Sequence, residues 1–304
     1  MSEQDTTAAS VFDRHRPRLL GLAYRMLGSV AESEDVVQDA YLRWRRVAHS
    51  SVEEPEAYLS AVVTRLSLDR LKEARRRRET YVGPWLPEPV TDDSFATAAD
   101  DGQLAEDVSI ALMLALERLS PLERASFLLH DVFELSFDEI ATALRRSSAA
   151  CRKLASRARS QIQEARPRFA VTTDESRALA EAFFQASRSG DVAGLTQLLA
   201  EAATLHTDGG GKRLAALRPI LGADKISRFF AGLARKPDGS RPLWSKPMLV
   251  NGLPGWLTVE RDGLLQTTAL ELAEGRIVAI YIVRNPEKLR HLWPLVPEPM
   301  RKAM

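Results

Sequence analysis

Two serine–glutamate pairs at a spacing of three, Ser120 with Glu123 and Ser136 with Glu139, constrain this chain more than any other feature. At that spacing the hydroxyl bonds the glutamate's amide and the carboxylate reaches back to the serine's amide, so each pair marks a helix start. Pro121 supports the first, because proline is tolerated where the amide has no helical partner. The helix after Ser136, Phe137 to Leu144, is short; Arg145 and Arg146 follow, and Ser147 is placed to cap another helix reaching about Glu164. A short helix, a tight turn and a basic helix make a helix-turn-helix.

The helix after Ser147 offers Ser148, Ala149, Arg152, Lys153, Ser156, Arg157 and Arg159 to a partner, with no carboxylate before Glu164. Small residues at its start allow close approach to base edges, while arginine and lysine bond guanine or neutralise phosphate. A basic helix that merely faces solvent is the plainer alternative. Upstream, Arg65, Arg70, Lys72, Arg75 and Arg78 form a second basic run. Net charge is only +1, so the segregation of charge, rather than its total, points to nucleic acid. Two basic surfaces joined by an acidic linker imply one ligand held at two separated places.

Three helices are expected first: Val11 to Leu27, stopped by Gly28; Val30 to Ala48, started by Ser29 with Glu32; and one begun by Pro55 and lined by Tyr58, Leu59, Val62, Val63 and Leu66. Asp35, Gln38 and Asp39 share a face of the second helix at i, i+3 and i+4, suited to a basic partner surface or simply to solvent. Trp85 to Asp107 lacks helical period and reads as an acidic linker. After Pro167, helices at Asp174 to Ser189, Asp191 to Ala200 and Ala223 to Ala234 precede strand-like LTVER, LLQTTALEL and RIVAIYIV, separated by Asp262-Gly263 and Glu274-Gly275. Helices followed by a meander predict an α+β domain with a curved sheet.

Cys151, the only cysteine, has no partner for an internal disulfide, and no Cys/His cluster has zinc-ligand spacing. Neither a secretory leader nor an apolar span of membrane length is seen, so a cytoplasmic protein with no membrane partner is expected. No metal, cofactor or catalytic residue is assigned. His206 and Asp208 invite an acid–base reading, but no carboxylate pair or activated nucleophile accompanies them. Asp208-Gly209-Gly210-Gly211-Lys212 is either an anion-binding nest or a flexible turn.

DVVQDAYLRW (Asp35 to Trp44) resembles the core-polymerase-binding helix of sigma region two, and Ala115 to Ile162 resembles sigma region four. YVGPWLPEP (Tyr81 to Pro89), DGGGK (Asp208 to Lys212) and NPEKL (Asn285 to Leu289) look like signatures of extracytoplasmic-function sigma factors that carry a SnoaL-like C-terminal extension. The resemblance implies a multidomain fold, two all-α domains followed by an α+β cone-shaped domain. Its divisions would be region two at 8–80, a linker at 81–107, region four at 108–167, a SnoaL-like regulatory domain at 172–292 and a tail at 293–304. It implies core RNA polymerase and promoter DNA as partners, and leaves room for an unidentified small ligand in the last domain.

Carried onto these residues, Asp35, Gln38 and Asp39 would meet polymerase. Tyr58, Arg65, Asp69, Arg70, Arg75 and Arg76 would engage the −10 element, and Ser147, Ser148, Ala149, Arg152, Lys153, Ser156 and Arg157 the −35 element. Ser148 stands where the resemblance leads one to expect glutamate. Trp85, Leu86, Pro87, Glu88 and Pro89 would form a regulatory interdomain contact with Asp208, Gly209, Gly210, Gly211, Lys212, Asn285, Pro286 and Lys288. A stand-alone helix-turn-helix regulator is the alternative for the chain, and a small-molecule-binding or cyclase-like module the alternative for its last domain.

Overall fold

The computed structural model describes residues 3–48, 52–91, 109–163, 173–236 and 241–302. They divide into two units, one drawn from Met1–Thr80 and Asp93–Arg166, the other from Tyr81–Asp92 and Pro167–Met304. The stretch Tyr81 to Thr91 thus folds with the C-terminal domain, and the rest of the expected linker lies outside the described residues.

The first unit is helical. It opens with α1 (Glu3–Leu27), α2 (Val30–Trp44) and α3 (Pro55–Glu79). Helix α1 begins two turns before Val11, because its first turns carry no apolar stripe for periodicity to detect. Leu19, Leu22, Ala23 and Met26 are at most 1% exposed, as are Val36, Val37 and Val63, where α1 packs on α2 and α3. Gly28, at φ 69°, donates to the Tyr24 carbonyl and ends the helix in the left-handed conformation glycine adopts freely.

The same unit continues with α4 (Ile110–Arg118), α5 (Pro121–Phe127), a π turn over Leu128–Val132, α6 (Phe137–Leu144) and α7 (Ser148–Gln163). Both capping boxes are complete: Glu123 and Glu139 accept from the amides of Ser120 and Ser136 at 3.1 and 2.8 Å and donate their own amides back to the hydroxyls. Arg145, at φ 54° and ψ 52°, makes the tight left-handed turn between α6 and α7. Cys151, Ala155, Ala158 and Ile162 bury the inner face of α7, leaving its basic face outward.

The second unit packs α8 (Thr173–Ser189), α9 (Val192–Leu198) and α10 (Ala223–Ala234) on a six-stranded sheet. The strands are β1 (Leu199–Asp208), β2 (Ile220–Leu221), β3 (Trp244–Val250), β4 (Leu253–Val259), β5 (Leu265–Ala273) and β6 (Arg276–Val283), in the order β2-β1-β6-β5-β4-β3. Only β1 and β6 run parallel. Register shifts at Leu199/Thr204 and Glu271/Leu272 bend the sheet. Phe183, Leu195, Ile226 and Phe230 pack onto Leu205, Leu270 and Ile280. A 3₁₀ segment, Pro286–Leu295, and α11 (Glu298–Lys302) follow.

Several expectations need correction, the first being that the second helix, expected to reach Ala48, ends at Trp44. The helix expected to reach Ala200 ends at Leu198, and β1 takes over from Leu199. The alanine-rich LAEAATLHTD has no clear alternation, and it becomes a strand by pairing with β6, far along the chain, where Leu199 meets Ile277. Strand β3 was not expected either, because Pro247 weakens its sequence signal; at the sheet edge, a residue without an amide donor is tolerated.

Candidate functional site

Helix α7 presents Ala149, Arg152, Lys153, Ser156 and Arg157 exposed, with exposed Ser147 capping it through a 3.2 Å bond from the Ala150 amide. Ser148 is half-buried and donates to the Asp138 carboxylate of α6, so the first turn is tied to the preceding helix. Arg152 lies 5.4 Å from the centre of the Phe137 ring, and Arg157 pairs with Glu123 at 3.0 Å. Both arginines are thereby oriented while remaining accessible.

On α2, Asp35 and Gln38 are exposed and Asp39 is half-exposed. Arg70 of α3 stands 3.6 Å from each of the two carboxylates. Partly exposed pairs of this kind contribute about 0–1 kcal/mol, so a macromolecular partner can displace them. The residues expected at the −10 element are not gathered into one free surface. Tyr58 packs its ring 5.9 Å from that of Trp44, and Asp69 pairs with Lys72 at 2.9 Å. Arg65 donates to the Ala143 and Thr142 carbonyls at the end of α6, at 2.7 and 2.9 Å. The side chains of Arg75 and Arg76 lie outside the described residues.

The second unit holds a clasp around the linker. Asp208, fully buried at the end of β1, accepts four hydrogen bonds: from the Tyr81 hydroxyl at 2.5 Å, the Leu86 amide at 2.9 Å, the Gly210 amide at 3.0 Å and Lys288 Nζ at 2.7 Å. Lys288 also donates to the Leu86 carbonyl and lies 4.3 Å from the centre of the Trp85 ring and 4.9 Å from that of Tyr81. Burial, then the bond to Asp208, pushes the Tyr81 hydroxyl's pKa far up, so it remains a donor. Asn285 donates to the Tyr81 oxygen at 2.9 Å, and its own side chain caps Glu287, which Pro286 precedes.

The three glycines are needed for this approach. A Cβ on Gly210, whose φ is 61°, would sit 2.3 Å from Asn285 Nδ2; one on Gly211 would come within 3.0 Å of Val82, and one on Gly209 within 2.2 Å of the Arg213 carbonyl. The Gly210 amide is taken by Asp208, so the turn serves the clasp. Lys212 pairs with Glu287, whose carboxyl is held below its usual range chiefly by that bond. Gly210→Ala should weaken the clasp by about 1–3 kcal/mol, the order of cost for a strained backbone position, seen as faster hydrogen exchange at the Leu86 amide.

Leu86, Pro87 and Pro89 are buried and Glu88 half-buried. Sequence reasoning missed three contacts here. Tyr81 lies in the linker motif but outside the assigned residues. His291 meets the Pro89 carbonyl at 2.7 Å. Asn251 exchanges two bonds with Val90, at 2.7 and 3.2 Å, while Thr91 bridges to Val250 and covers part of the β3 edge. Asn251-Gly252 is a hairpin signal, yet nothing local to it announces a linker partner. His206 stacks on Tyr281 at 5.5 Å, and Asp208's four bonds leave its oxygens no acid–base role toward a ligand. Among the described residues no group of three His, Cys, Asp or Glu is arranged to hold a metal.

The model for Sigma-70 region 2 matches residues 11–77, and that for Sigma-70, region 4 matches residues 109–162. The ECF RNA polymerase sigma factor SigJ of Mycobacterium tuberculosis is 38% identical over 295 residues, 92% of each chain. The probable ECF RNA polymerase sigma factor SigI of the same organism is 32% identical over 291 residues, 95% of this chain and 97% of that one. The crystal structure of M. tuberculosis SigJ superposes with a TM-score of 0.75 at 34% identity, covering 93% of this chain and 98% of that one.

Proposed function

The chain belongs to the extracytoplasmic-function RNA polymerase sigma factors and directs promoter-specific transcription initiation, and from that premise we propose how its residues divide the work. Region two offers core polymerase the face of Asp35, Gln38 and Asp39, and α3 supplies the −10 contacts through Tyr58, Arg65, Asp69, Arg70, Arg75 and Arg76. Region four places α7 in the major groove of the −35 element, with Ser147, Ser148 and Ala149 at the base edges and Arg152, Lys153, Ser156 and Arg157 on bases and phosphates. The observation that supports this division is the fully formed α6–α7 motif, with the apolar face of α7 buried and its basic face exposed and carrying no carboxylate of its own. As a factor for core polymerase and promoter DNA it would act in the cytoplasm. Among the described residues no helix is long and apolar enough to cross a membrane.

Arg65 bonded to α6 has a mechanistic consequence. The two promoter elements, named by position, are about 25 base pairs or on the order of 85 Å apart at 3.4 Å per pair. An α3 in hydrogen-bond contact with α6 does not span that distance, so the compact first unit is the form off DNA, and engagement of both elements opens it. The clasp, including Trp85 to Pro89, Asp208 to Lys212, Asn285, Pro286 and Lys288, fixes one end of the connection between the two regions and so modulates activity.

The test is reconstituted initiation with purified full-length protein, core polymerase and promoter templates. Arg152→Ala should weaken promoter binding by about 1–3 kcal/mol, the usual cost of a lost base-reading arginine, while polymerase binding stays unchanged. Full transcription by that variant would overturn the role given to α7.

A further inference from the structure

The second unit encloses a cavity of about 460 Å³ between α8, α10 and the sheet, within the range of small-molecule sites. One side is aromatic. Phe183 meets Phe230 edge-on at 5.3 Å, Phe229 meets Phe230 at 5.5 Å, and Phe184 stacks on Trp256 at 4.8 Å. Leu214, 75% exposed, stands at the mouth and supplies an apolar rim.

The charged groups around the cavity do not balance. Arg188 makes two bonds to Glu260, at 2.8 and 2.6 Å. Arg284 donates to Asp262 at 2.8 Å and to the Leu214 carbonyl at 3.2 Å. Among the described lining residues three cations thus face two carboxylates: Lys236, exposed at the rim, is the one left over, and Arg284, though paired, keeps a buried Nε with no hydrogen-bond partner. A buried donor left unmade carries a desolvation cost that an acceptor would relieve. The aromatic wall favours a flat apolar body, and the surplus cation favours one anionic or strongly accepting group on it.

We propose that this cavity binds a small organic ligand made of aromatic or fused rings and carrying one acidic group, with the rings among Phe183, Phe184, Phe229 and Phe230 and the acid against the Arg284 guanidinium and Lys236. The pocket wall reaches the clasp. Thr207 lines it, accepts the Ala216 amide at 2.7 Å and immediately precedes Asp208; Arg284 immediately precedes Asn285 and donates its backbone amide to the Asp208 carbonyl at 2.7 Å.

The test titrates the full chain with 1-anilinonaphthalene-8-sulfonate and with neutral N-phenyl-1-naphthylamine, which has the same rings without the acid. Both should bind at one saturable site, the sulfonate more tightly, and raise the melting midpoint of the protein. Arg284→Gln should weaken the sulfonate about 10-fold, the scale of a charge-assisted hydrogen bond, and leave the neutral probe within about 2-fold. Lys236→Gln, at an exposed position, should shift the same selectivity in the same direction and serves if the first variant does not fold. Ala216→Trp, which adds a bulky side chain to the cavity lining, should abolish binding of both probes while the protein still melts cooperatively. Absence of saturable binding, binding that survives Ala216→Trp, or equal effects of the charge variants on the two probes would overturn the assignment. The titration contains neither polymerase nor DNA, so its outcome is separate from that of the initiation experiment.

Discussion

Asp208→Ala should release the linker from the C-terminal domain and cost that unit about 3–5 kcal/mol, the range for removing one partner of a buried ion pair. The reason lies in what remains behind. Lys288, with 9% of its side chain exposed, would keep its charge but lose the carboxylate, and the Tyr81 hydroxyl and the Leu86 and Gly210 amides would lose their acceptor together. Asp208→Asn, similar in volume, should fall between wild type and alanine, because an amide oxygen accepts fewer bonds and carries no charge. The Leu86 amide reports directly, since Asp208 is its acceptor: a loss of 3 kcal/mol corresponds to exchange faster by roughly 150-fold. Pairing Asp208→Ala with Lys288→Met should recover part of the loss, because no buried cation is then orphaned. Initiation should change while polymerase binding persists. Leu86 exchange unchanged in Asp208→Ala would show that the clasp does not hold the linker.

The same clasp shows where sequence stops being informative. Helix starts were legible because their signals are local: a hydroxyl and a carboxylate three residues apart determine the caps at Ser120 and Ser136 wherever the segment sits. Helix α10 and strand β6 were legible too, since periodicity and flanking glycines repeat within a few residues. Strand β1 was not, because its identity depends on lying parallel to β6, and no local pattern encodes a remote partner. Asp208, Asn285 and Lys288 stood out by resemblance as motif residues. That their atoms converge on Tyr81 and Leu86, 122 residues or more from Asp208, required the folded chain. The same holds for Arg65, whose place in a basic run suggests nucleic acid but whose guanidinium rests on the carbonyls closing α6.

Arg124→Ala is the second substitution expected to have a large effect, and it acts on the first unit. The guanidinium is 3% exposed and donates to the Met26 carbonyl of α1 at 2.6 Å and to the Leu116 carbonyl of α4 at 2.9 Å, while pairing with Glu117 at 2.8 Å. Burial pulls its pKa down to about 10, so it remains charged at neutral pH. Met26 belongs to region two and Leu116 and Glu117 to region four, so a single buried cation joins the two. Alanine should remove about 3–5 kcal/mol, because two carbonyls and a largely buried carboxylate lose their donor and a cavity is left. Arg159→Ala is the contrast: its pair with Asp131 at 2.5 Å is partly exposed, and its loss should cost about 1 kcal/mol or less. Denaturant midpoints of the two variants measure the difference. If the compact unit is the form off DNA, Arg124→Ala should also lengthen the distance between fluorophores placed on α2 and α7 before the unit unfolds. Equal destabilisation by the two variants would mean that Arg124 does not join the regions, and the opening step would need another hinge.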